Sequence, residues 1–349
     1  MTHKIFDSTF KKILTLSSKA VVNMINGLFH TTYDPNTAEV FYHWTESVKD
    51  DGTLSTTLAD TILVINNSDA YHMEAQMTKD ESIIFRVFSY GAGYADKTKK
   101  ILQDEDGQNI YQIRFPNPCI IYLSNVSESV PDTYSLSVDL GLDAPILYRV
   151  PVVKLMNCST EDINNRKMVI LVPFFLLKLR ERLRNKKYRT PENIASLKSL
   201  IKTDIMGSID KNIELGNITL EDGAQLYKLT QVLYTKLYSY YEETEEVTDM
   251  VDQSIVTFVD EFQEQKAKLE QEIADRDKKL ADRDKKLADR DKKLADKDKK
   301  LADKDKELAE RNYELADKEK KLAAQKAEGD AIIARLQAEI EELKKKTNI

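Results

Sequence analysis

The stretch TLADTILVINNSDAYHMEAQM, residues 57–77, holds two apolar runs around a turn-forming NNSD, with Asp60, Glu74 and Gln76 set among residues of core type. Asn, Ser and Asp between β-branched runs mark a hairpin. Alternate residues of a strand face the same side. His72, Glu74 and Gln76 therefore share one face, and Tyr71, Met73, Ala75 and Met77 share an apolar face that meets the core. With the turn centred on Ser68, Ile62 lies opposite Glu74 and Asp60 opposite Gln76. Cross-strand partners project from one face. Asp60, Glu74 and Gln76 are thus expected on a single exposed patch, and a turn displaced by one residue is expected to break it.

Two carboxylates and an amide oxygen are hard ligands suited to Mg²⁺ or Mn²⁺. A cation held there could activate water and stabilise charge developing on a phosphodiester. The plainer alternative is that strand ends carry acids at solvent-facing positions. The pattern is short, and by itself leaves both readings open.

Outward from the hairpin, Phe6 to Phe29 repeats apolar residues at spacings near three and four, which predicts a helix. A second helical stretch runs from about Asp80 to Ala95, with Gly91-Ala-Gly93 read as its end. PCIIYLSN, TYSLSVDL and ILYRVPVV follow as short strands. The order predicts an α/β or α+β core over residues 1–155. Residues 156–260 read as a helical subdomain, with Thr219-Leu-Glu-Asp222 as a helix start. Residues 261–349 read as a heptad-repeat helix. From Ala274 the chain repeats ADRDKKL and close variants, with leucine at 280, 287, 294, 301, 308, 315 and 322. With leucine at position d, position a is Asp284, Asp291, Asp298, Asp305, Asn312 and Glu319. Ile333, Leu336, Ile340 and Leu343 then complete a normal a/d seam. A solvated single rod and a weak parallel coiled coil zipped from its C-terminal end both fit. The second makes the protein a homo-oligomer, and a row of buried aspartates makes that association marginal.

Composition narrows the setting. Residues 274–322 carry 18 Lys and Arg against 15 Asp and Glu, so with the chain at −7 the remainder stands at −10. An acidic body is not that of a passive nucleic-acid clamp. The two cysteines, Cys119 and Cys158, form no CxxC and fit a reduced compartment. The N-terminal MTHKIFDSTFKKI lacks the apolar core of a signal peptide. The longest apolar run, Val169 to Leu177, falls well short of the roughly twenty residues of a membrane span. A soluble cytoplasmic protein without a membrane partner is expected. No glycine-rich phosphate loop, GxSxG or HExxH offers competing chemistry.

Four segments carry a resemblance: FDSTFKKIL (Phe6 to Leu14), LADTIL around Asp60, YHMEAQ around Glu74, and RVFSY from Arg86 to Tyr90. In order and spacing the first 155 or so residues resemble the PD-(D/E)XK phosphodiesterase superfamily. Within it they resemble the Rpn-like recombination-promoting nuclease/putative transposase family. The resemblance implies a restriction-endonuclease-like core and metal-dependent DNA endonuclease chemistry, with DNA as partner. It implies Asp60 and Glu74 as ligands of Mg²⁺ or Mn²⁺, in a context of recombination, mobile elements or defence. Gln76 stands where the superfamily has lysine, a replacement typical of Rpn-like members. Glutamine carries no charge and shuttles no proton, but can orient water or phosphate or ligate metal through its oxygen.

Arg86 and Tyr90 are four apart and share a helical face. Arg86 either meets a phosphate or packs on the hairpin and orients a carboxylate. Asp7 and Lys11 read as a surface ion pair or as part of the site's rim, Lys79 as a surface lysine or as the source of the charge that Gln76 lacks, and His72, on Glu74's face, is not a typical Mg²⁺ ligand. Trp44, Tyr71 and the tyrosines from 227 to 241 read as packing residues. A catalytically silent nuclease-like module, displayed on a coiled coil for binding or assembly, is the competing function.

Overall fold

The hairpin forms, but its turn is centred one residue earlier than expected. In the computed structural model, which describes the backbone of residues 3–48, 54–141 and 143–347 and the side chains of 5–42, 62–141 and 143–346, β2 (Leu54–Ile65) pairs antiparallel with β3 (Asp69–Gln76). Ile65 lies opposite Asp69, and Ile62 opposite His72 rather than Glu74. Asn66 and Asn67 take left-handed φ of 52° and 55°, a conformation asparagine tolerates better than most residues. Asp69 belongs to the strand because tertiary partners hold it: it accepts from Tyr33 Oη at 2.9 Å and Arg114 at 3.3 Å. Moving the centre by one whole residue shifts each partner by two positions, which preserves the face. The expectation that such a shift breaks the alignment is corrected on that ground.

β1 (Val40–Val48) flanks β2, and β6 (Asn117–Tyr122), β7 (Thr133–Val138) and β8 (Ile146–Lys154) complete a six-stranded mixed sheet of order β1-β2-β3-β6-β8-β7. β3, β6 and β8 run parallel, and the other neighbours are antiparallel. Between β3 and β6 come α3 (Ile83–Lys97) and a separate hairpin of β4 (Lys100–Gln103) and β5 (Asn109–Gln112). α3 runs through Gly91 and Gly93 rather than ending there. A Cβ on Gly91 would stand 2.8 Å from Phe115 Cδ1, so that glycine admits a close ring instead of stopping the helix.

The two sheet faces divide as strand parity requires. Leu63, Ile65, Tyr71, Met73, Cys119 and Ile121 enter the main core. Ile62, Val64 and Ala70 meet Tyr94 of α3, while Ile120, Tyr122 and Val150 meet Ile83, Ile84 and Val87. Both faces are therefore covered, as a parallel centre requires.

The predicted helix from Phe6 to Phe29 is two helices, α1 (His3–Ile13) and α2 (Ser18–Phe29). Ser17 breaks it by capping α2, its Oγ accepting from Ala20 N at 3.2 Å. Ser17 N and Oγ in turn donate to Asp222, at 2.8 and 2.5 Å. Asp222 is the third residue of α8 (Leu220–Leu237) and forms a capping box with Thr219, the helix start expected from sequence. Before it come α4 (Thr160–Asn165), α5 (Arg180–Arg184), α6 (Pro191–Ser199) and α7 (Gly207–Glu214). The apolar run from Val169 to Leu177 is fully buried 3-10 helix inside the main core. No helix among the described residues is long and apolar enough to cross a membrane.

Met1–Gln265 form one compact unit, whose core runs from Phe6 to Phe258. The division expected at 155/156 separates two sequence regions that share this core. Lys266–Ile349 form the second unit, and α9 (Glu245–Thr347) is a single helix of 103 residues. Its d leucines stand 51–70 % exposed.

Gly27 sits where α2 meets the 166–168 segment. A Cβ there would lie 2.4 Å from both Arg166 O and Met168 Cγ. Helix propensity favours alanine by about 1 kcal/mol, but overpacking against backbone costs about 1–3 kcal/mol and more when the backbone must move. Gly27→Ala is expected to lower stability in denaturant unfolding. An unchanged or raised midpoint would show that the segment yields without cost.

Candidate functional site

α3 lies along β3 in a matched ladder. Four helical residues rise about 6 Å and two strand residues about 6.6 Å. Steps of four on α3 therefore keep pace with steps of two on β3. Arg86 meets Glu74 at 2.8 Å, Tyr90 packs edge-on against His72 at 6.0 Å, and Tyr94 meets Ala70. Asp80 holds the start of α3: its Oδ1 accepts from Ser82 N at 2.9 Å and Ser82 Oγ at 2.7 Å. These bonds hold the Asp80 carboxyl below its ordinary range, with Arg86, 3.5 Å away, adding a smaller pull.

Glu74 is the centre of the site and is 3 % exposed. Its Oε1 accepts from Gln76 Nε2 at 2.6 Å and faces Arg86 Nη2 at 2.8 Å, an ion pair without hydrogen-bond alignment. Its Oε2 is buried with no hydrogen-bond partner among the described residues. His72 is more deeply enclosed, and neither ring nitrogen has a hydrogen-bond partner among the described residues. Burial pushes its pKa down to about 4, so the ring is neutral at neutral pH.

The structure brings Glu74, Gln76 and Arg86 together. The β2–β3 ladder runs to Thr61 opposite Met73, one residue short of Asp60. Asp60 lies in β2, and its side chain, like that of Trp44, is outside the described residues. The surface is not the open patch expected from sequence: α3 covers it, because the face is completed by Ile62, Val64 and Ala70 and demands an apolar cover. Arg86 packs on the hairpin with its guanidinium at the Glu74 carboxylate. Lys79 pairs with Glu81 at 3.2 Å, and Lys11 with Asp7 at 2.8 Å. Asp80 is the member that sequence reading missed, and its signal was its position ahead of Ser82 at a helix start.

The donor set fits a hard cation in part. Glu74 Oε2 is a carboxylate oxygen with no donor among the described residues, and Gln76 adds an amide oxygen two residues on. Among the described residues, no cluster of three His, Cys, Asp or Glu side chains completes a cage. No family model, curated protein or solved structure matches the chain.

Proposed function

We propose that residues 3–265 are a metal-dependent DNA endonuclease of PD-(D/E)XK type, Rpn-like in its motifs, with a restriction-endonuclease-like core built on β2, β3 and α3. The observation that carries this reading is the buried, unpartnered Oε2 of Glu74. Leaving a buried acceptor unmade costs about 1–3 kcal/mol, and a cation removes that cost. Asp60 and Glu74 would hold Mg²⁺ or Mn²⁺, with Gln76 as a neutral oxygen donor. When bound, the ion supplies a lowered water pKa and positive charge facing the phosphodiester.

The chain's own residues prepare the place. Gln76 fixes the Glu74 carboxylate by donating to Oε1, which leaves Oε2 for the ion. Arg86 offsets the carboxylate charge in a body that is acidic overall. Asp80 Oδ2 adds a second negative charge 3.5 Å from the same Arg86 Nη2.

Asp60→Ala and Glu74→Gln are each expected to cut Mg²⁺-dependent nicking of supercoiled plasmid by at least about 100-fold, the scale of losing a charge-stabilising group at a reacting centre. Wild-type cleavage by both variants would remove the site assignment.

A second reading rests on Arg86 as well. A carboxylate already matched by a guanidinium at 2.8 Å under a covering helix suits a silent nuclease-like module used for binding. Titration calorimetry separates the two. Mg²⁺ or Mn²⁺ uptake lost in Glu74→Gln supports the enzyme, and no uptake by the wild type supports the module.

A further inference from the structure

The heptads of α9 contain two separate charge systems. With leucine at d, ADRDKKL places alanine at e, aspartate at f, a base at g, an acid at a, and lysines at b and c. On one helix, residues three and four apart are neighbours. The f aspartates are surrounded by b and c lysines: Asp282 has Lys278 and Lys279 on one side and Lys285 and Lys286 on the other. Asp317 and Lys321 show this lattice formed, at 2.8 Å.

The a row has no such neighbours. Asp284 is flanked at these spacings by Leu280, Ala281, Leu287 and Ala288, and Asp291, Asp298 and Asp305 repeat the pattern. The g row is also without acids over its central heptads. Arg283 is flanked by Lys279, Leu280, Lys286 and Leu287, and Arg290 and Lys297 likewise by lysine and leucine. A single helix would spend its acids and bases at f, b and c and leave a and g unmatched, beside leucines that are more than half exposed.

A second copy matches them. In a parallel coiled coil the hole that receives an a side chain is walled by the partner's g residue, and the d side chain packs beside the partner's e. An in-register parallel pair therefore sets each a acid beside a g base of the other chain, two acids and two bases to a layer. It sets leucine on leucine at d, with alanine at e leaving room. An antiparallel pair would place g against g, base against base. We propose that α9 pairs with a second copy of this chain as a parallel, in-register coiled coil whose seam aspartates are neutralised by the partner's g-position Arg and Lys. The near-identical repeats would tolerate a slip of seven residues. Ile333, Leu336, Ile340 and Leu343, an apolar a/d run found only at the C-terminal end, fix the register.

The test uses the full chain in sedimentation equilibrium at low salt, with circular dichroism to confirm helix content. The wild type is expected to self-associate. Asp284→Lys/Asp291→Lys/Asp298→Lys puts bases beside bases. Arg283→Glu/Arg290→Glu/Lys297→Glu puts acids beside acids. Each triple variant is expected to dissociate at least about tenfold more readily than the wild type. Their equimolar mixture restores the match across chains and is expected to recover association as a heterodimer. Gly329→Cys, at a d position, is expected to give a covalent dimer on mild oxidation, beyond any formed by the wild type. A monomeric wild type at about 100 μM, indifference to either triple swap, failure of the mixture to associate, or no added cross-link at 329 would overturn the proposal.

Discussion

Arg86→Met is expected to destabilise the 3–265 unit by about 3 kcal/mol, the lower end of the cost of breaking a buried ion pair from one side. The lower end applies because Arg86 is 37 % exposed while its partner Glu74 is 3 % exposed. Methionine keeps most of the arginine stem's packing, so the loss reports the charge. It leaves a carboxylate enclosed by β3 and α3 with only the Gln76 amide on Oε1. Glu74→Gln reverses the situation. It leaves an arginine side chain that is 37 % exposed and keeps Asp80 at 3.5 Å, with Nε and Nη2 buried, so its cost is expected at about 1 kcal/mol. Denaturant unfolding of both variants checks the asymmetry. Equal losses would mean the pair is not buried in effect. The Arg86→Met protein also bears on metal binding. If Glu74 takes Mg²⁺ or Mn²⁺, the ion should return part of the lost stability there, and it should not do so in Glu74→Gln.

Acid should loosen the fold through His72. Its pKa is about 4 in the folded chain against 6.5 in the unfolded one. Between those values the unfolded chain holds a proton that the folded chain refuses. Stability is therefore unaffected by this group above pH 6.5 and falls as pH drops toward 4, by about 3 kcal/mol in total. His72→Leu removes the titration and two buried nitrogens without hydrogen-bond partners. The variant is expected to lose about 3 kcal/mol less than the wild type between pH 7 and pH 4. Parallel stability profiles across that window would show that His72 charges in place, which requires water or an acid to reach it.

Strand parity made the faces of β3 legible: Tyr71 and Met73 enter the main core, and His72 and Glu74 share the other face. Register was harder. The NNSD turn was visible, but whether Asp69 belongs to loop or strand depends on Tyr33 and Arg114, distant residues that local pattern does not reveal. The break between α1 and α2 has the same origin, because Ser17 caps α2 with help from Asp222. β1 and the β4–β5 hairpin escaped the sequence reading altogether. In the hairpin Ile101, Leu102, Ile110 and Tyr111 stand exposed, so no buried face gives the period away. The pairing of α3 with β3 was latent in the sequence as residues 86, 90 and 94 against 74, 72 and 70. It becomes visible only once the two rises are compared.

The Ser17–Asp222 bond spans 205 residues, and this bears on synthesis. A ribosome that adds about 5–20 residues per second takes about ten to forty seconds to pass from one to the other. For most of that interval Phe6, Phe10, Ile13, Val21 and Ile25 are already made, while much of the apolar surface that covers them, through Phe258, is not. The nascent chain therefore carries this greasy segment uncovered until the residues through Phe258 are made, and chaperones that bind such segments have their opening then.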